Sequence, residues 1–115
     1  MAVNERVIGA SNELIEAGPG LRFSIARGER TLPAFAIRFG GRVHAYVNEC
    51  RHEASELDWE EGEFFDTAKL YLVCASHGAL YEPATGVCVA GPCRGARLAK
   101  VEVCERDGDV LCMGD

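Results

Sequence analysis

Two short motifs carry the side chains best suited to holding a metal. Cys50-Arg51-His52 sets a thiol and an imidazole with one residue between them, and Cys74-Ala75-Ser76-His77 sets them with two between. Residues 53–73 separate the motifs, and of the six cysteines only Cys50 and Cys74 have a histidine within three residues. In looped or extended backbone such near neighbours turn their donor atoms to one side, so each motif offers one soft thiolate and one borderline nitrogen. A zinc ion accepts that set in a tetrahedron, and two irons bridged by sulfides accept it too. Reach favours the pair of irons. A thiolate and an imidazole with a single residue between them are cramped on one ion and natural on adjacent ions, whereas zinc motifs usually leave two or more residues between ligands.

The residues downstream extend the pattern. After Cys50-Arg51-His52 come Cys74-Ala75-Ser76-His77-Gly78, then Tyr81, the Thr85-Gly86 turn and the Gly91-Pro92 loop. In order and spacing this stretch, roughly residues 43 to 113, resembles the Rieske [2Fe-2S] family. The resemblance implies one [2Fe-2S] cluster, with Cys50 and Cys74 on the inner iron and His52 and His77 on the outer, solvent-facing one. Two thiolates and two sulfides balance two ferric ions, so neutral imidazoles leave the oxidised centre uncharged. That eases addition of an electron relative to an all-cysteine cluster. In this reading Gly78 lets the backbone approach the cluster, Pro92 fixes a shielding loop without a spare amide donor, and Tyr81 bonds a cysteine sulfur. Arg51, Ala79 and Gly91 complete the surroundings.

Departures from the family pattern locate the chain within it. Respiratory-chain members carry a disulfide between cysteines at positions that here hold Ser55 and Ser76, and a serine that here is Ala79. Losing that hydroxyl removes a donor to sulfur and destabilises the more negative reduced state, which implies a potential in the lower part of the Rieske range. The resemblance is then to the soluble ferredoxin branch, although the spacer is longer than usual and Arg51 and Ala75 stand where proline is common. It implies a one-electron carrier, not an enzyme, passing electrons from a flavin-dependent reductase to an oxygenase. A small subunit of a nitrite-reductase-type enzyme, or a sensor or docking module stabilised by a cluster or zinc, are the alternatives.

The elements that must position these residues read as β throughout. Leu21 to Ile25 and Phe35 to Phe39 alternate, and Gly40-Gly41 forms a tight turn into Val43 to Val47. Leu70 to Val73 reads as a strand ending at Cys74, and Ala79 to Glu82 and Val87 to Ala90 flank the turn Pro83 to Gly86. Lys100 to Glu105 and Asp109 to Met113 close around Asp107-Gly108; a two-residue turn there sets Val103 opposite Cys112 and Cys104 opposite Leu111, so Cys104 and Cys112 lie on opposite faces. Seven or more short strands predict an all-β fold, an antiparallel sandwich or stacked small sheets. Ser11 to Ala17 and Ser55 to Trp59 are the candidates for a helical turn. His44 reads as a strand residue, and Trp59, Phe64 and Phe65 as the core that pins the spacer. Cys88, Cys93, Cys104 and Cys112 read as small packed hydrophobes, with Cys88 and Cys93 the one pair spaced for a disulfide.

At 115 residues and 12.4 kDa the chain suits a single domain, 1–115. Hydrophobic residues at 48% and charged residues at 26% are those of a globular protein. The net charge of −6 argues against nucleic acid or an anionic membrane as partner. The charged start and the lack of any apolar run near the roughly 20 residues of a membrane span predict a soluble, cytoplasmic protein. Between Glu49 and Asp66 stand eight acids and one base, so all the net negative charge sits in the spacer between the motifs. That stretch reads either as a solvated face or as a surface that steers a basic redox partner. Arg51, Arg94 and Arg97 are candidate positive spots near the cluster.

Overall fold

The computed structural model describes residues 5–50, 56–58, 60–74 and 78–113. Among the described residues ten strands form three antiparallel sheets. β2 (Leu21–Arg27), β3 (Arg30–Phe39), β4 (Arg42–Val47) and β8 (Lys100–Val101) make the central sheet in that order. β1 (Glu5–Ala10), β10 (Asp109–Met113) and β9 (Val103–Arg106) make a second, ordered β1-β10-β9. β5 (Leu72–Val73), β6 (Leu80–Tyr81) and β7 (Cys88–Ala90) make the third. Among the described residues no helix is long and apolar enough to cross a membrane.

The central sheet is covered on both faces. Residues 34–37 of β3 are all buried, and their alternation separates two cores. Phe35 and Ile37, with Tyr46 of β4, face the core that also contains Cys50, Cys74 and Tyr81. Ala34 and Ala36, with Ala45 and Val47, face a core closed by Val110 and Cys112 of β10. Small alanines on one face and aromatics on the other set the sheet close to its β1-β10-β9 neighbour and leave room on the side of the two cysteines.

Turn chemistry fixes the register as the sequence predicts. Gly40 and Gly41 have φ of +65° and +78° and join Phe39 to its partner Arg42. Asp107 and Gly108 do the same between Arg106 and Asp109, and Leu111 pairs with Cys104 and Cys112 with Val103. Among the described residues helix is confined to one 3-10 turn, Ser11–Glu13, shorter than the Ser11 to Ala17 reading. Glu56 to Asp58 are not helical; Ser55 and Trp59, the rest of the expected second turn, lie outside the described residues.

Three strand readings need correction. β1 was not anticipated; Glu5–Ala10 has no clean alternation and is held by pairing with β10, the far end of the chain. The strand expected from Leu70 begins only at Leu72, because Asp66 Oδ1 accepts hydrogen bonds from the Leu70 and Tyr71 amides (2.9 and 3.2 Å) and holds Leu70 out in a turn. The run from Lys100 to Glu105 is two strands, since β8 pairs with β4 and β9 with β10. The chain changes sheets at Glu102.

Candidate metal centre

Cys50 follows the end of β4. There the Val47 amide donates to the Ala99 carbonyl (2.8 Å) and the Asn48 amide to that of Pro33 (2.8 Å), so the strand end is clamped from both sides. Asn48 is itself buried. Its Oδ1 accepts from the Leu57 amide at 2.8 Å and its Nδ2 donates to Asp58 Oδ1 at 3.0 Å. Asp58 Oδ2 in turn accepts from the Gly62 amide at 2.9 Å and faces Arg22 Nε at 3.2 Å. This polar chain folds the spacer back against the strand that delivers Cys50. No feature of the sequence analysis singled out Asn48 or Arg22; a polar residue two positions before a cysteine carries no periodic signal.

The spacer is then pinned by aromatics. Phe64 is fully buried and stacks on Phe35 with ring centroids 4.0 Å apart, and Phe65 stacks on Phe39 at 6.0 Å. Trp59 lies outside the described residues. Asp58 and Asp66 therefore have structural work, whereas Glu56, Glu60, Glu61 and Glu63 are exposed. Glu56 and Glu61 reach Arg22 at 2.8 and 3.7 Å.

Cys74 directly follows β5. Its amide donates to the Ala79 carbonyl at 2.9 Å, and its carbonyl accepts from the Gly78 amide at 2.7 Å. Gly78 has φ of +70°, a conformation that disfavours any side chain, although a Cβ there would meet nothing within 4 Å. The glycine that permits close approach is Gly91. A Cβ on it would lie 2.8 Å from the Ala79 Cα, so the Gly91-Pro92 loop rests on the loop that carries Cys74. Pro92 is exposed and Ala79 fully buried. Tyr46 supports this side from below, its hydroxyl donating to the Pro83 carbonyl at 2.7 Å while burial pushes its pKa up to about 12.

Cys50 and Cys74, 3% and 0% exposed, belong to one buried core. Tyr81, also buried, places its hydroxyl 3.4 Å from Cys50 Sγ, the contact expected of a tyrosine that bonds a ligand sulfur. The same hydroxyl lies 3.1 Å from Cys93 Sγ, which is 3.3 Å from Cys88 Sγ. Burial, with the Cys93 hydrogen bond second, pushes the Cys88 thiol up to about 11, so it is protonated at neutral pH. Cys88 and Cys93 are free thiols. Cys112 is buried as expected, while Cys93 and Cys104 are only half-buried. His44 sits on β4 opposite Ile37, a strand residue. His52, His77, Arg51, Ala75, Ser76 and Ser55 lie outside the described residues.

The donor set suits an iron–sulfur centre. Two buried sulfurs on separate loops share one apolar core, and a phenolic hydroxyl is aimed at one of them; thiolates with a hydrogen-bond donor are what such clusters require.

A family model described as Rieske [2Fe-2S] domain matches residues 6–113. No curated protein matches the chain. Among solved structures, the chain is similar to the ferredoxin of carbazole 1,9a-dioxygenase from Nocardioides aromaticivorans IC177, at 20% identity and a TM-score of 0.71, covering 95% of this chain and 96% of that one. A complex of reduced oxygenase and oxidized ferredoxin in carbazole 1,9a-dioxygenase contains a chain at 21% identity and a TM-score of 0.72, with 96% and 94% covered. The terminal oxygenase of carbazole 1,9a-dioxygenase from Novosphingobium sp. KA1 matches at 23% identity and a TM-score of 0.77, but over 97% of this chain and 30% of that one. At these identities the likeness is one of fold.

Proposed function

The chain belongs to the Rieske [2Fe-2S] domain family, and from that premise we propose that it is a one-electron carrier that passes electrons from a flavin-dependent reductase to a terminal oxygenase. The observation that carries the proposal is reciprocal coverage. The chain and a dioxygenase ferredoxin match over nearly their whole lengths, whereas an oxygenase chain matches over less than a third of its own.

Membership of the family implies a [2Fe-2S] cluster. We assign Cys50 and Cys74 as its sulfur ligands and His52 and His77 as its nitrogen ligands. When bound, the cluster supplies a site that takes up and releases one electron. The chain's own residues do the rest. Two buried thiolates keep the sulfur side away from water, and Tyr81 donates its proton to Cys50 Sγ, which favours the state with the extra electron. The Asn48–Asp58–Arg22 chain and the Gly91–Ala79 contact hold the two cysteine loops in place. As ligands, His52 and His77 would shorten the electron's path to a docked partner. The chain acts as a single domain over 1–115, and a reducing cytoplasm suits its six cysteines.

Metal and acid-labile sulfide analysis, followed by a redox titration, tests this reading. Two irons and two sulfides per chain with reversible one-electron reduction support it. One zinc per chain ends it. A cluster that no reductase can reduce would leave a sensor or docking module instead.

A further inference from the structure

We propose that Cys88 and Cys93 form a redox-active dithiol that closes reversibly to a disulfide. The two sulfurs lie 3.3 Å apart. A disulfide bond is about 2.05 Å long, so closure asks for a movement of about 1.3 Å, within what side-chain rotation supplies. Their juxtaposition is built into the backbone. The Cys88 amide donates to the Ala96 carbonyl at 2.8 Å, its carbonyl accepts from Gly95 at 2.9 Å, and the Ala96 amide donates to the Cys93 carbonyl at 2.9 Å. These bonds close the loop between the cysteines and hold both on one scaffold. Exposure divides the roles: Cys93 is half-buried and meets an oxidant first, while Cys88 is 1% exposed and stands behind it.

The oxidant is a low-molecular-weight disulfide such as glutathione disulfide. The Cys93 sulfur attacks one of its sulfurs, forming a mixed disulfide and releasing one small thiol. The Cys88 sulfur then attacks Cys93 Sγ, the mixed disulfide breaks, and a second small thiol leaves. Two protein thiols are oxidised, one disulfide is reduced to two thiols, and the two protons pass to the departing thiols.

The hydrogens of the pair fit this order. The Cys88 S–H donates to the Ala90 carbonyl at 3.2 Å and the Cys93 S–H donates to Cys88 Sγ at 3.3 Å, so the two sulfurs already face one another.

The test treats the protein as purified with glutathione disulfide, blocks remaining thiols with an alkylating agent, and maps the tryptic peptide 70–94. That peptide holds Cys74, Cys88 and Cys93. The expected result is a mass lower by two hydrogens, a link between residues 88 and 93, and reversal by dithiothreitol. Cys88→Ser should instead accumulate the glutathione adduct on Cys93. Cys93→Ser should show neither the link nor an adduct on the buried Cys88. Full alkylation of Cys88 and Cys93 after oxidant, or a link through Cys74, overturns the disulfide. Iron content measured alongside separates these from failure of the cluster reading, since the cross-link is read whether or not iron is present.

Discussion

Tyr81 touches both a proposed ligand and a thiol outside the ligand set, so it is the most informative side chain to remove. Tyr81→Phe keeps the ring in its buried slot and deletes only the hydroxyl 3.4 Å from Cys50 Sγ. A donor to a ligand sulfur stabilises the more negative reduced state, so its loss lowers the midpoint by tens of millivolts, on the order of 59 mV for each 1.4 kcal/mol of differential hydrogen bonding in a one-electron couple. Voltammetry of the variant checks this, and an unchanged midpoint would remove Tyr81 from the tuning of the centre. At this scale the motif residues are legible because metal chemistry restricts which side chains can serve and how far apart they can stand. Asn48 and Arg22 are not legible. Their value comes from Asp58 and Leu57, which only the folded spacer brings to them.

Among elements, the loop from Gly91 to Gly95 is the most sensitive to a small change. Gly91 has φ of +104° and would place a Cβ 2.8 Å from the Ala79 Cα, a backbone atom that has no rotamer to move. Gly91→Ala is expected to cost about 1–3 kcal/mol of stability through strain alone and to speed bleaching of the visible spectrum. A thermal melt and a time course of absorbance measure the two effects. Far from the site, Arg38 binds the 3-10 turn and β9 together, donating to the Leu14 and Ser11 carbonyls (2.6 and 3.1 Å) and pairing with Glu105 at 2.7 Å. The Arg38 hydrogen bond holds the Glu105 carboxyl below its usual 4.5. A carboxyl so lowered contributes stability that is present above pH 4.5 and lost as pH falls through its depressed value. Glu105→Gln should therefore lower stability at neutral pH and flatten its fall as pH drops below the usual 4.5, as read by denaturant midpoints. The flattening is partial, because Glu16 and Glu5 are lowered as well. The hairpins were legible because Gly-Gly and Asp-Gly turns and period-two alternation are local signals. The break at Glu102 was not, since which sheet each half joins depends on β4 and β10, distant in sequence.

Across the whole molecule the charge is divided as the sequence implies, with the negative excess on one segment. Asp58 and Asp66 are taken up by hydrogen bonds that shape the spacer, which leaves Glu56, Glu60, Glu61 and Glu63 facing water. A concentrated exposed charge raises encounter rates with an oppositely charged partner and is screened by salt. Reduction by the protein's own reductase is therefore expected to slow as ionic strength rises, and a Glu60→Gln, Glu63→Gln variant to show a shallower salt response in stopped-flow traces. A flat response in the parent protein would leave the acidic spacer as a solvated face. The two-core arrangement explains how one short chain serves both needs: one face of the central sheet is closed by β1, β9 and β10, and the other carries the cysteine loops.

Pulsed electron paramagnetic resonance on the reduced protein, with histidine nitrogens isotopically labelled, reads the ligand set directly. The account predicts a spin on the cluster coupled to two distinct histidine nitrogens, both lost only when His52 and His77 are replaced. A reduced cluster with no histidine nitrogen coupling would contradict it.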